Sequence, residues 1–222
     1  MKLRTCLIFD LDGTLVDSVP DLTSCINRVL AARNLGPLTV AQITRMVGDG
    51  APALLQRVFA FHGEQPDANA MDDFLTDYKA HAADRSVPYP GVEDTLKVLA
   101  GSGYVMGVCT NKPAAPARKV LQELGLDGFF KAVSGGDSFP ERKPDPRHLL
   151  GTIAAAGGIA TDAVMIGDHI NDIEAAAGAR VPAIFAAWGY GPAEMGKGAR
   201  FVAQNFREVP GLVKRIAVKG SY

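Results

Sequence analysis

Asp10 and Asp12 stand one residue apart at the end of an apolar run, Leu7-Ile8-Phe9, and Gly13-Thr14 follow at once. An apolar run that does not alternate reads as the end of a strand buried on both faces. Two carboxylates at such an end are costly, because they repel each other and lose hydration. A divalent cation is the simplest offset. Magnesium suits best, since it takes hard oxygen ligands and commonly uses one or two carboxylates together with substrate phosphate. Gly13 lets the chain turn sharply and brings backbone close to a ligand. Taken alone, the stretch also reads as a strand running into an ordinary Asp-Gly turn.

Three later stretches carry polar groups of matching chemistry at corresponding places. Thr110-Asn111 follows the apolar run 104–109 and offers a hydroxyl and backbone amides to phosphate oxygens. Arg142-Lys143-Pro144-Asp145-Pro146 sets a lysine in a stiff loop just before a helix, although a solvated loop lysine has the same appearance. Gly167-Asp168-His169-Ile170-Asn171-Asp172 places Asp168 and Asp172 four residues apart at a helix opening, so both can share one face. Carboxylates there also complement the helix dipole without any further role.

The elements that must position these residues fall into two groups. Residues 19–33 carry Leu22, Ile26, Val29 and Leu30 at helical spacing and end at Asn34-Leu35-Gly36-Pro37. Thr39 can cap a short helix through Met46, broken by Gly48-Asp49-Gly50, and helices are predicted over 52–61 and about 69–83. Residues 17–86 thus form a run of helices without a convincing strand, a separate helical subdomain, with Val87-Pro88-Tyr89-Pro90-Gly91 as return linker. Beyond it strands and helices alternate: helices over 92–100, 116–124, 147–156, 170–179 and 209–218, and strands over 104–109, 132–134, 163–166, 182–187 and 201–202. That alternation predicts an α/β fold with a parallel sheet and helices on both faces. Ligands in such sheets bind at the carboxyl ends of strands, where all four polar stretches fall.

Bulk properties narrow the partners. The chain has 222 residues, 47% of them hydrophobic and 21% charged, with a net charge of −1, so neither nucleic acid nor an anionic membrane surface is expected. No apolar stretch approaches the length of a membrane span, and Met1-Lys2-Leu3-Arg4-Thr5 leads straight toward the first strand without a signal-peptide core. Cys6, Cys25 and Cys109 lack metal-ligand spacing and read as small buried hydrophobes of a reducing, cytoplasmic compartment.

In this order the four stretches resemble the haloacid dehalogenase superfamily, over nearly the whole chain. The resemblance implies a Rossmann-like core, residues 1–16 and 87–222, with an inserted all-helical cap over 17–86. It implies that Asp10 attacks phosphorus to form an aspartyl-phosphate, and that Asp12 serves as general acid and then as general base. It further implies magnesium held by Asp10, the Asp12 carbonyl and Asp168, charge neutralised by Thr110, Asn111 and Lys143, and Asp172 orienting Lys143 or metal-bound water. True dehalogenases lack the second Asp, so Asp12 implies a phosphatase or a mutase.

Asp17-Ser18-Val19-Pro20-Asp21-Leu22, Met46-Val47-Gly48-Asp49-Gly50-Ala51, Cys109-Thr110-Asn111-Lys112-Pro113 and Trp188-Gly189-Tyr190-Gly191 resemble the bacterial phosphoglycolate phosphatase family. Sugar-phosphate phosphatases and pyrophosphatases share much of this pattern. A β-phosphoglucomutase-like mutase would use the same pair of Asp residues, and a receiver-type phosphoacceptor module lacks so long a helical insertion. The substrate implied is a small phosphorylated metabolite, acted on by a monomer or homodimer. Phosphoglycolate carries an additional carboxylate, for which Arg45, beside Gly48-Asp49-Gly50, is the candidate cation. His169 stands where a small Ser is frequent and reads as a tolerated surface histidine.

Overall fold

The computed structural model describes residues 5–219. The approach of Met1 to Arg4 to the first strand, and positions 220–222 of the expected core, lie outside the described residues.

In chain order, β1 (Cys6–Phe9) and β2 (Val16–Asp17) precede four helices, α1 (Val19–Ala31), α2 (Val40–Thr44), α3 (Ala51–Phe61) and α4 (Ala70–His81). Next come β3 (Val87–Pro88), α5 (Val92–Gly101), β4 (Val105–Cys109), α6 (Ala114–Glu123) and β5 (Ala132–Ser134). The chain continues through α7 (Pro146–Ala155), β6 (Ala163–Gly167), α8 (Ile170–Ala179), β7 (Ala183–Ala186), β8 (Phe201–Ala203) and α9 (Val209–Lys219).

Six strands form one parallel sheet in the order β5-β4-β1-β6-β7-β8. All four residues of β1 are fully buried, which explains why its sequence does not alternate. Its side chains still divide by face. Leu7 and Phe9 join the core that holds Leu96 of α5, Val120 of α6 and Val213 of α9. Cys6 and Ile8 pack with Leu149 and Ile153 of α7 and Ile173 of α8. Helices therefore cover both faces, and all three cysteines are buried and free.

The register brings the functional stretches level with one another. Phe9 pairs with Val108 of β4 and with Ile166 of β6, so Asp10 emerges beside Cys109-Thr110 and Gly167-Asp168. The chain order of strands reverses at β1, and ligands bind at that kind of crevice in open α/β sheets.

Helices α1 to α4 rest over this end of the sheet. Leu22, Ile26, Val29 and Leu30 of α1 are buried against α4 residues Phe74 and Tyr78, in apolar contact continuous with the sheet core. Thr39 and Gln42 form a reciprocal capping box that starts α2. Three local features differ from the sequence expectation. The two crossings into and out of the helical layer pair as a short antiparallel ribbon, Val16 with Pro88 and Asp17 with Val87, too short for periodicity to reveal. Helix α2 stops at Thr44, where Met46 N–H tightens onto the Ile43 carbonyl at 2.8 Å. Helix α6 begins at Ala114 because Pro116 sits in its first turn, where a missing N–H costs nothing.

Candidate active site

Asp10, Thr110, Lys143, Asp168 and Asp172 converge at the carboxyl ends of β1, β4, β5 and β6. Asp10 is held by Leu11 N–H, which donates to its Oδ1 at 2.7 Å, and by Lys143, whose Nζ lies 3.0 Å from the same oxygen. Lys143 Nζ also meets Asp172 Oδ1 at 2.5 Å, with both side chains essentially buried. The Lys143 loop is fixed by its own N–H donating to His148 Nδ1 at 3.2 Å and by Asn111 Nδ2 donating to its carbonyl at 2.9 Å. Burial alone would lower the Lys143 pKa; Asp10 and Asp172 overcome that and hold the ammonium above its ordinary value.

Asp168 is bound from three sides. Thr14 Oγ1 donates to Oδ1 at 2.8 Å, and Tyr190 N–H and Gly191 N–H donate to Oδ2 at 2.8 and 3.4 Å. Gly13, with φ +83°, and Gly189 pass so close that a Cβ at either would collide with the Asp168 side chain. Ligand oxygens of Asp10, Asp168 and Asp172 all fall within 4.8 Å of one another. Asp10 and Asp172 share the Lys143 ammonium, so the cluster of three carboxylates that includes Asp168 is left short of positive charge. Burial accordingly raises the Asp168 carboxyl to about 8, with Asp10 and Asp172 adding to it. Burial raises Asp10 to about 6 against the pull of Lys143, with Asp172 adding to the rise.

Asp12 stands apart from that cluster. Ser18 Oγ donates to its Oδ1 at 2.5 Å, and Lys112 Nζ lies 2.8 and 3.1 Å from its two oxygens. Tyr78 of α4 meets the same ammonium at 2.6 Å through its hydroxyl. Asp10 and Asp12 thus have separate lysines. The Thr110 N–H is committed to the Ser134 carbonyl at 3.0 Å and its hydroxyl oxygen accepts the Lys112 N–H at 3.2 Å, which leaves the hydroxyl proton to donate to a ligand. The Asn111 side chain is likewise committed, donating to the Gly48 and Lys143 carbonyls at 3.0 and 2.9 Å, and so ties the α2–α3 loop to the sheet.

A cavity of about 60 Å³ lies between these groups and the helical layer. Its floor includes Asp10, Asp12, Thr110 and Asp168; its roof is apolar, from Leu22, Val47, Leu54 and Phe74. Arg45 does not line it. It is the exposed residue that ends α2, whose turn carries it away from the neighbouring Gly48 and Gly50 that do line the cavity. His169 is half-buried rather than free on the surface. It caps α8, its Nδ1 accepting Asn171 N–H at 3.3 Å, and its ring reaches the cavity beside Gly48.

Lys112, Ser18, Tyr78 and Tyr190 were not assigned roles from sequence. Tyr190 binds the start of α1 as well as Asp168: its hydroxyl accepts Ser18 N–H at 2.8 Å and Val19 N–H at 3.1 Å and donates to Asp17 at 2.8 Å. The Gly-rich run Gly189-Tyr190-Gly191 was the available signal, since glycine marks close backbone approach.

Comparison with known proteins agrees with this geometry. The family model for haloacid dehalogenase-like hydrolase matches residues 7–186. A phosphoglycolate phosphatase from Agrobacterium fabrum is 45% identical over 192 residues, 85% of this chain and 82% of its own. One from Caulobacter vibrioides is 43% identical over 210 residues, covering 92% and 88%. A solved structure from Haemophilus somnus, described as a predicted phosphoglycolate phosphatase, superposes with a TM-score of 0.87 at 30% identity and covers 96% of this chain and 99% of its own. With a match of this extent and relatives this similar along most of their length, the chain belongs to the haloacid dehalogenase-like hydrolase family.

Proposed function

We propose that the chain is a magnesium-dependent phosphomonoesterase working through an aspartyl-phosphate on Asp10, with 2-phosphoglycolate as its substrate. The observation that carries the reaction type is the division of labour between Asp10, paired to Lys143 and facing Asp168, and Asp12, held separately by Ser18 and Lys112. A carboxylate oxygen of Asp10 attacks phosphorus, the ester P–O bond breaks, and the leaving oxygen takes its proton from Asp12. Asp12 then accepts a proton from the water that attacks phosphorus, and Asp10 departs as carboxylate. The Thr110 hydroxyl, the Asn111 N–H and the Lys143 ammonium hold the phosphoryl oxygens as charge develops on them.

The donor set fits magnesium: hard oxygens only, two of them on buried carboxylates that belong to a cluster of three sharing the one Lys143 ammonium. Asp10, Asp168 and the Asp12 carbonyl would hold the ion, which supplies positive charge for the phosphoryl oxygens and for Asp10. Helices α1 to α4, residues 17–86, act as the cap, and the β2–β3 ribbon is where it swings. The names of the similar proteins support phosphoglycolate over hexose phosphates, as does the apolar roof of the cavity, which offers little to a polyol.

Phosphate release with magnesium tests this reading against phosphoglycolate, hexose phosphates, nucleotides and pyrophosphate. Phosphoglycolate is expected to have the highest kcat/KM; an even spread over the panel would overturn the substrate assignment. Metal binding carries a pH signature as well. The Asp168 and Asp10 carboxyls stand at about 8 and about 6 in the ion-free fold, above the unfolded value near 4. Folded protein therefore retains protons that unfolded chain releases, a contribution to stability present below about pH 4 and lost as pH rises through 6 and then 8. An entering cation must displace those protons, so its binding tightens as pH rises. Magnesium is expected to raise Tm more at about pH 8 than at about pH 5.5. Equal increments at the two pH values would contradict the assignment of these carboxylates as ligands.

A further inference from the structure

We propose that Lys112 is the specificity-determining cation of the cavity, binding the carboxylate of the leaving group while Asp12 acts on the ester oxygen next to it. The proposal rests on the phosphoglycolate reading given above.

A carboxylate that enters beneath the apolar roof formed by Leu22, Val47, Leu54 and Phe74 gives up its hydration and needs a cation there. Arg45 is exposed and outside the cavity, and Lys143 is enclosed by Asp10 and Asp172 on the phosphoryl side. Among the described lining residues, the basic side chains are those of Lys112 and His169. His169 accepts a hydrogen bond at Nδ1 as the cap of α8, which fixes its ring as a neutral donor. Lys112 is thus the permanently charged lining group; its ammonium already meets both Asp12 oxygens and the Tyr78 hydroxyl, and a substrate carboxylate would take over one of those contacts.

Its position also matches the shape of the substrate. The ammonium lies 2.8 and 3.1 Å from the Asp12 oxygens, so a group bound to Lys112 is one hydrogen bond from the acid. In phosphoglycolate a single methylene separates the carboxylate from the ester oxygen that Asp12 must protonate. A lysine normally samples many rotamers, but this one is restrained from the cap by the Tyr78 hydroxyl at 2.6 Å. Tyr78 is itself stacked on Phe74, ring centroids 5.6 Å apart and planes within 5°. Because Tyr78 belongs to α4 and Lys112 to the β4–α6 turn, the carboxylate site is complete only when the helical layer is seated on the sheet. Closure and recognition of the acid are then one event, and a phosphoester without a carboxylate forgoes that contact.

The test is the kinetics of phosphoglycolate against ethyl phosphate, in which a methyl group replaces the carboxylate, for the wild type, Lys112→Met, Lys112→Gln and Lys112→Arg. The neutral variants are expected to lose the preference for phosphoglycolate over ethyl phosphate by about ten-fold or more in kcat/KM, through a KM that rises more for phosphoglycolate than for ethyl phosphate, on top of any loss of kcat that both substrates share through Asp12. Lys112→Arg, which keeps the charge, is expected to restore part of the preference. Lys112→Gln retains a donor toward Asp12 and Tyr78 and reads the same ratio if the methionine variant does not fold. If both substrates lose kcat alike and the preference is unchanged, Lys112 only positions Asp12 and the inference is overturned. A wild type that shows no preference for phosphoglycolate over ethyl phosphate removes the substrate reading itself, and this inference with it.

Discussion

Asp10→Asn is expected to lower kcat by roughly 10⁴-fold or more on every phosphoester, because the amide cannot form the acyl-phosphate. The variant should nonetheless fold without loss of stability. Asp10 is placed by β1 and by the Leu11 N–H, and an amide retains the shape of the carboxyl. Its charge is a liability in the ion-free protein, as its pKa of about 6 shows: burial outweighs the help of Lys143, and Asp172 adds repulsion. Lys143 retains Asp172 as partner at 2.5 Å. Thermal denaturation without metal at about pH 8 should therefore give a Tm at or above that of the wild type. Activity within ten-fold of wild type would contradict the role given to Asp10.

Asp12→Asn should combine a large kinetic loss with the opposite effect on stability. Loss of a general acid and base costs about 10²–10⁴-fold, and the first step should suffer most with alkyl phosphates, whose leaving oxygen needs a proton. p-Nitrophenyl phosphate needs none to depart, so its first step should survive while hydrolysis of the phosphoenzyme slows. Lys112 meanwhile loses its counter-charge in a position where its side chain is 4% exposed, and removal of one partner from such a pair costs roughly 3 kcal/mol. A lower Tm for Asp12→Asn beside an unchanged or higher one for Asp10→Asn would register the different lysine arrangements of the two carboxylates. Equal losses of stability would contradict them.

The placing of the candidate site was legible in sequence wherever its residues sit in a short segment after an apolar run. Asp10, Asp12, Thr110, Asp168 and Asp172 all follow buried strands, and the parallel register of β4, β1 and β6 brings those strand ends level. Alternating strands and helices likewise revealed the sheet and the helical insertion. What escaped depends on contacts between distant parts of the chain. Lys112 looks like any loop lysine until folding joins it to Asp12, 100 residues away, and to Tyr78, 34 residues away. Arg45 lies off the cavity lining for the converse reason: nearness in sequence to Gly48 and Gly50 says nothing of direction, and at the end of α2 it is exposed. His169 was read as surface because a lone histidine carries no sign of the cap it forms on α8. The β2–β3 ribbon is held by pairing across the insertion, which no local pattern encodes.

The central claim is that phosphate passes through Asp10, and the most direct measurement is mass analysis of acid-quenched Asp12→Asn protein after mixing with p-nitrophenyl phosphate and magnesium. One phosphoryl group per chain is predicted, assigned by fragmentation to Asp10, appearing together with the first burst of nitrophenol. Nitrophenol released without that adduct, or with the group on another residue, would contradict the account.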